Sequence, residues 1–119
     1  MASKVRADRP ERAVLQDCRA ADRKKGRPRG DLDLEFVREQ LGKGCQYCGE
    51  SEIRITLDRV DNKLGHVKSN VVPACIRCNY MRGSMPYGAW INIVPAVRNT
   101  RELGLFGDWR SQPFNRKQT

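Results

Sequence analysis

The chain has 119 residues and carries 23 lysines and arginines against 14 aspartates and glutamates, a net charge of +9. That length allows one domain with a modest core, and its apolar runs are too short to span a membrane. The charge excess suits a polyanionic partner. Five cysteines follow an N-terminus, Met1-Ala2-Ser3-Lys4-Val5-Arg6, that leads into more charge rather than an apolar run, so no secretory signal is visible and a reducing, cytoplasmic setting is expected.

The charge is unevenly spread. Residues 1–30 hold ten basic and four acidic side chains, residues 31–53 two and six, and residues 54–119 eleven and four. Two basic zones, +6 and +7, therefore flank an acidic stretch of −4, a pattern that favours phosphate contact over a solvated surface.

Residues 1–9 show no apolar periodicity and read as an arm. Pro10 suits a first helical position, and Val14, Leu15, Cys18 and Ala21 then recur at helical spacing, predicting a helix over 11–24. Lys24-Lys25-Gly26-Arg27-Pro28-Arg29-Gly30 breaks it. Its Gly-Arg-Pro centre resembles the core of an AT-hook, which lays arginines in a narrow minor groove; the same residues also make an ordinary basic linker. Asp33 is the expected N-cap of a second short helix with Leu34, Val37 and Leu41 on its apolar side, closed by Gly42 and Gly44. Arg54 to Val60 alternates as a half-buried strand does. Residues 61–70 form a polar loop, and Val71 to Ala74 a second strand that Pro73 confines to a sheet edge. A helix from Cys75 to Arg82 is closed by Gly83. Ser84 is the expected cap of a further helix through Tyr87, Trp90 and Ile91, which pack as core, and Pro95 is expected to end or restart it. Residues 106–119 read as loosely held.

Cys45 and Cys48, and Cys75 and Cys78, form two Cys-x2-Cys pairs 26 residues apart. Each pair places two thiolates on one side of a tight turn, and two pairs complete the four-sulfur tetrahedron that a structural zinc accepts. Two disulfides would need an oxidising compartment. With four sulfurs filling the shell no position remains for water, so the expected zinc holds the fold and does no chemistry. Cys18 is expected to be a small core residue.

The residues between and after these pairs resemble a family. Leu57-Asp58-Arg59-Val60, Gly65, Asn70-Val71-Val72-Pro73 and Cys75-Ile76-Arg77-Cys78-Asn79-Tyr80-Met81-Arg82-Gly83 are similar, in order and spacing, to the HNH endonucleases, most closely to small phage and mobile-element members with paired zinc cysteines. The resemblance covers residues 33–91 and implies an α+β fold, the ββα-metal hairpin and helix, with flanking N- and C-terminal helices. On that reading residues 1–32 are a basic arm and helix, 33–91 the zinc-stapled nuclease core, and 92–119 a C-terminal helix and tail. Asp58 and Asn79 fall on the family's metal-ligand positions, and Asn70 on the Asn that pins the hairpin loop. Asp58 and the Asn79 carbonyl are hard oxygen donors suited to one Mg²⁺ or Mn²⁺.

In most members the residue after the Asp is the general-base His; here it is Arg59, which stays protonated and cannot accept a proton. It is suited instead to the scissile phosphate. His66, the chain's single histidine, follows the loop glycine, where phage-type relatives with Asp-Arg often carry an aromatic ring. His66 is therefore a candidate general base; a solvent-exposed loop histidine or a phosphate contact is the competing account. Lys24, Lys25, Arg27, Arg29, Arg54, Lys63, Lys68, Arg77 and Arg82 are candidate phosphate contacts. The expected activity is metal-dependent cleavage or nicking of DNA, with RNA a further candidate partner, by a phage-borne or homing type of enzyme acting as monomer or homodimer. The rival is a zinc-containing nucleic-acid-binding module whose nuclease site has decayed, and Arg59 is the residue that keeps it open.

Overall fold

The computed structural model describes residues 10–109; the expected arm over 1–9 and the last ten residues of the tail lie outside the described residues. Helix α1 spans Pro10–Lys24 and α2 Leu34–Leu41; strand β1 spans Ile55–Arg59 and β2 Val71–Cys75; α3 spans Ile76–Arg82 and α4 Tyr87–Glu102. A 3-10 turn, Lys68–Asn70, leads into β2.

Pro10 opens α1, where its missing N–H costs nothing. The face that α1 buries carries Glu11, Val14, Leu15, Cys18 and Asp22, so an acid closes a stripe otherwise suited to the core. Asp33 caps α2 as its position predicts, Oδ1 accepting from the Phe36 N–H at 2.8 Å. The strands pair antiparallel from Ile55 opposite Cys75 to Arg59 opposite Val71. In a two-stranded sheet each strand is an edge, so Pro73 costs no ladder bond on its open side. Its carbonyl there accepts from the Gln46 N–H at 2.8 Å, which ties the first cysteine turn to β2.

A lone hairpin is marginal in water, and this one is packed from two sides. Leu57 and Val71 join Val14, Leu15, Cys18, Leu32 and Val37 in one cluster, with Leu34, Phe36 and Leu41 against it. Ala74 and Cys75 join Cys45, Tyr47, Cys48, Cys78, Trp90 and Val97 in the other. Cys18 is thus a core thiol, and burial pushes it up to about 12.

Three expectations in the C-terminal half are corrected. The N-cap of α4 is Pro86, with no side-chain cap, because Ser84 belongs to the preceding turn, where its carbonyl accepts from Asn62 Nδ2 at 2.9 Å. Pro95 lies inside α4 without ending it. The residue sits on the exposed side of the helix, as does Ile91 four residues back, so water is at hand for the carbonyl that loses its N–H partner. Ile91 itself is 41% exposed and is not core, whereas Trp90 is buried. Beyond α4 the described residues are held: Phe106 packs on the cysteine cluster, and the Trp109 carbonyl accepts from Arg77 Nη1 at 2.9 Å. Among the described residues no helix is long and apolar enough to cross a membrane.

Candidate metal centre and active site

The cysteine turns meet where the sequence spacing requires. Cys45, Cys48, Cys75 and Cys78 are all buried, and their Sγ atoms lie within 4.8 Å of one another. Cys48 Sγ and Cys75 Sγ are 3.8 Å apart, against an edge of about 3.8 Å for a tetrahedron with Zn–S bonds near 2.3 Å. The Cys48 and Cys78 N–H groups point back at Cys45 Sγ and Cys75 Sγ, at 3.5 and 3.4 Å, donating to the sulfurs as a bound cation would require of its surroundings. Hydrogen bonds from Cys48, Cys75 and Cys78 hold the Cys45 thiol far below its ordinary value. The four sulfurs fit a zinc site, and no disulfide joins any cysteine of the chain.

The first cysteine turn also positions a residue beside Asp58. Tyr47, between the first two cysteines, is buried and donates its hydroxyl to Asp58 Oδ2 at 2.6 Å. Arg82 Nη1 donates to the same oxygen at 2.9 Å. Burial first, and the Asp58 carboxylate next, push the Tyr47 phenol well up, so it stays a donor. One carboxylate oxygen is therefore fixed from two sides.

Asp58, Arg59, His66 and Asn79 line one cavity of about 320 Å³, whose remaining wall includes Ala21, Lys24, Lys25 and Arg27 from the end of α1 and the basic loop. Four of the residues singled out for chemistry thus converge from β1, the hairpin loop and α3, and three of the candidate phosphate contacts border them. Arg59 is steadied by the loop it precedes, its Nη1 donating to the carbonyls of Asn62 at 2.7 Å and Leu64 at 2.9 Å. Asn70 lies beneath the same loop rather than in the cavity. Its Oδ1 accepts from the Asp61 N–H at 2.9 Å, and its Nδ2 donates to the carbonyls of Asp61 and Gly65 at 3.1 and 3.0 Å. Loop residues 61–65 are closed by that one amide.

His66 is the residue whose surroundings the sequence did not foretell. Its Nδ1 lies 2.9 Å from Asp22 Oδ1, and its backbone N–H donates to Asp22 Oδ2 at 3.0 Å. Arg27 Nε donates to Oδ1 as well, at 2.8 Å. Burial opposes charge on Asp22, but the hydrogen bonds from Arg27 and from the His66 backbone and ring outweigh it, and the carboxyl sits below its ordinary value. An ionised carboxylate only accepts, so Nδ1 carries the ring proton. Burial pushes the imidazole down, Asp22 pulls it back only in part, and His66 stays below its ordinary 6.5; the ring is neutral at pH 7. Asp22 escaped sequence reasoning because 44 residues separate it from His66. A signal was present all the same: Asp22 stands four residues after Cys18 on the buried stripe of α1, where an acid has no place unless something pairs with it.

The other candidate phosphate contacts do not gather at this cavity. Arg29 lines a separate cavity of about 280 Å³ that shares Arg27 and His66 with the first and has Asp22 in its own wall. Lys63 borders a third, with Val60 and Tyr87. Lys68 is paired on the surface with Asp33 at 3.1 Å, and Arg54 with Asp17 at 3.0 Å. Arg77 and Arg82 are corrected outright as exposed phosphate clamps. Arg82 has no side-chain exposure, and its five N–H groups serve Asp58 Oδ2, the carbonyls of Arg59, Val60 and Met85, and Asn62 Oδ1, leaving no donor for a phosphate. Arg77, also buried, is held by Glu50 Oε1 at 3.3 Å and lies 4.4 Å from the centre of the Phe106 ring.

The structure is similar to that of the rare-cutting HNH restriction endonuclease PacI, a protein described by its mechanism of DNA perturbation. The TM-score is 0.63 at 16% sequence identity, covering 76% of this chain and 78% of that one. No protein-family model matches the chain, and no curated protein does. The fold is of the HNH type: an antiparallel hairpin followed by a helix, with four clustered cysteines that fit a zinc site.

Proposed function

We propose that the protein is a metal-dependent HNH-type endonuclease or nickase that hydrolyses phosphodiester bonds in DNA, with a structural zinc on Cys45, Cys48, Cys75 and Cys78. The observation that carries the reading is the convergence of Asp58, Arg59, His66 and Asn79 on one cavity bordered by Lys24, Lys25 and Arg27.

The donor set fits a second, hard cation. Tyr47 and Arg82 both engage Asp58 Oδ2, so Oδ1 would be the oxygen available to an ion, and the amide carbonyl of Asn79, which lines the same cavity, would be a second donor; Mg²⁺ or Mn²⁺ is the match. Such an ion, when bound, neutralises the phosphate and stabilises the leaving oxygen. The chain's own residues supply the rest. With Nδ1 committed to Asp22, His66 Nε2 is the bare nitrogen that takes a proton from the attacking water. The N–H groups of Arg59 that the loop carbonyls do not use hold the phosphate and offset its developing charge. Lys24, Lys25 and Arg27 draw the strand to the cavity mouth. Arg59, which stands where most relatives carry their base, is thus compatible with cleavage because the base comes from seven positions further along the chain.

The test is a supercoiled-plasmid assay with Mg²⁺ or Mn²⁺ and with EDTA, beside Asp58→Ala and His66→Ala. Metal-dependent nicking that Asp58→Ala abolishes is the expected result. DNA binding without nicking under either metal sinks the enzymatic reading and leaves a zinc-stapled DNA-binding module. Full cutting by His66→Ala removes His66 as the base.

A further inference from the structure

Resting on the nuclease reading above, we propose that Asp22 is the positioning residue of the active site. Its carboxylate, delivered from the last turn of α1, fixes the His66 ring with Nδ1 protonated and Nε2 bare. The segment that a reading by sequence would set apart as a basic arm and helix is then part of the catalytic apparatus.

Geometry carries this assignment. The Asp22 side chain is only 5% exposed and the His66 side chain 11%, so the pair meets in a place where water competes poorly for either group. The two carboxylate oxygens take two different parts of His66, ring and backbone. That bites on the residue's position as well as its rotation about the side-chain bonds. Arg27, held over Oδ1, balances the buried charge, and its own N–H donates to the Asp22 carbonyl at 2.8 Å. The charged groups that act on the ring are Asp22, Arg59 and Arg27. Burial, with the two arginines adding to it, outweighs the pull of Asp22 and leaves the imidazole neutral, as a base must be before it acts.

Two glycines show that the chain is shaped to this contact. A Cβ on Gly65, the residue before His66, would stand 3.2 Å from Asp22 Oδ2 and 3.3 Å from Oδ1. A Cβ on Gly30, beyond the basic loop, would fall 2.4 Å from the His66 carbonyl oxygen. Segments far apart in sequence are each stripped of a side chain where they close on the pair.

A merely structural tie between α1 and the hairpin loop would show the same distances, so the experiment reads the ring itself. His66 is the chain's single histidine, and nitrogen NMR of ¹⁵N-labelled, zinc-loaded full-length protein reports its tautomer without ambiguity. The wild-type ring is expected as the Nδ1–H form. Asp22→Asn removes the charge and the obligatory acceptor. It is expected to shift the tautomer and lower the ring's titration midpoint, and to reduce kcat for plasmid nicking by about 10²–10⁴-fold, with KM and zinc content kept. Equal cutting by Asp22→Asn overturns the proposal, and so does lost cutting with an unchanged tautomer and midpoint. Should Asp22→Asn fail to fold, Gly65→Ala crowds the carboxylate while keeping its charge; an unaltered ring spectrum and kcat in that variant likewise overturn it. A wild-type protein that nicks no DNA overturns the nuclease reading itself, and this assignment with it, even where the spectrum still reports the contact.

Discussion

Arg82 donates to Asp58 Oδ2 at 2.9 Å from a side chain with no exposure to solvent. The pair joins the end of α3 to the end of β1, and the same guanidinium reaches three backbone carbonyls and Asn62. Removing one partner leaves the other charge buried and unpaired, so Arg82→Ala is expected to cost about 3–5 kcal/mol, read as a lower midpoint in urea unfolding of zinc-loaded protein. Arg82→Lys should recover little, since one ammonium has three donors and cannot span five acceptors. A loss below about 1 kcal/mol, the scale of an exposed pair, would show that the contact does not bind these elements together.

The cysteine cluster supports a separation of two metal requirements. Zinc is expected at one per chain, and Cys48→Ser or Cys75→Ser is expected to lose it together with the cooperative unfolding transition, because binding to such a site is folding free energy. Brief EDTA treatment should instead stop nicking while the zinc remains, and added Mg²⁺ should restore it. Metal analysis of the same samples before and after EDTA checks both halves. Retention of a full zinc complement by Cys75→Ser would count against four-sulfur ligation.

These expectations differ in how far the sequence could carry them. The cysteine cluster was legible because each pair is local: two residues between thiols set a turn, and the turn sets the geometry. Asn70 was legible through its family position, and its hydrogen bonds to the Asp61 N–H and carbonyl and the Gly65 carbonyl close the loop it was expected to pin. The arginines were not. Arg77 and Arg82 sit beside the last cysteine in a basic stretch, where a phosphate contact is the natural reading. Whether a guanidinium faces outward depends on acceptors that arrive from elsewhere: Glu50 and the Trp109 carbonyl for Arg77, β1 and the turn after it for Arg82. Asp22 and His66 pose the same difficulty over 44 residues. Local pattern singled out His66 as a lone titratable group and passed over Asp22, although an acid on the buried face of α1 is an oddity. Tertiary packing alone made them partners.

The environment of His66 sets a direction for pH. Burial holds the imidazole below 6.5, against the partial pull of Asp22, so the ring is already neutral at pH 7 and gains its proton only on further acidification. Nicking at saturating Mg²⁺ is expected to be level from pH 7 to 8 and to fall about tenfold per unit once the pH drops below the ring's midpoint, which lies under 6.5. The residual activity of His66→Ala should lack that limb. A rate that begins to fall above pH 7, or the same acid limb in His66→Ala, would assign the proton transfer to another group.

Gly30 offers a steric test of the same region that leaves every charge in place. Its backbone angle is not of the left-handed kind, so alanine meets no conformational penalty there. What it meets is the His66 carbonyl at 2.4 Å and Val67 Cγ1 at 2.9 Å. A carbonyl in the main chain cannot swing aside as a flexible side chain does, so either the basic loop or the hairpin loop must move. Gly30→Ala is expected to lose about 1–3 kcal/mol, the range for overpacking, and to reduce nicking by displacing His66 from Asp22. Gly88, in the first turn of α4, is the control: a Cβ there has nothing within 4 Å, and alanine should be neutral or stabilising by up to about 1 kcal/mol. Thermal unfolding of the two variants beside the wild type separates the cases. Equal stability and equal nicking in Gly30→Ala would mean that the loops adjust freely, and that the close approach at His66 is not required.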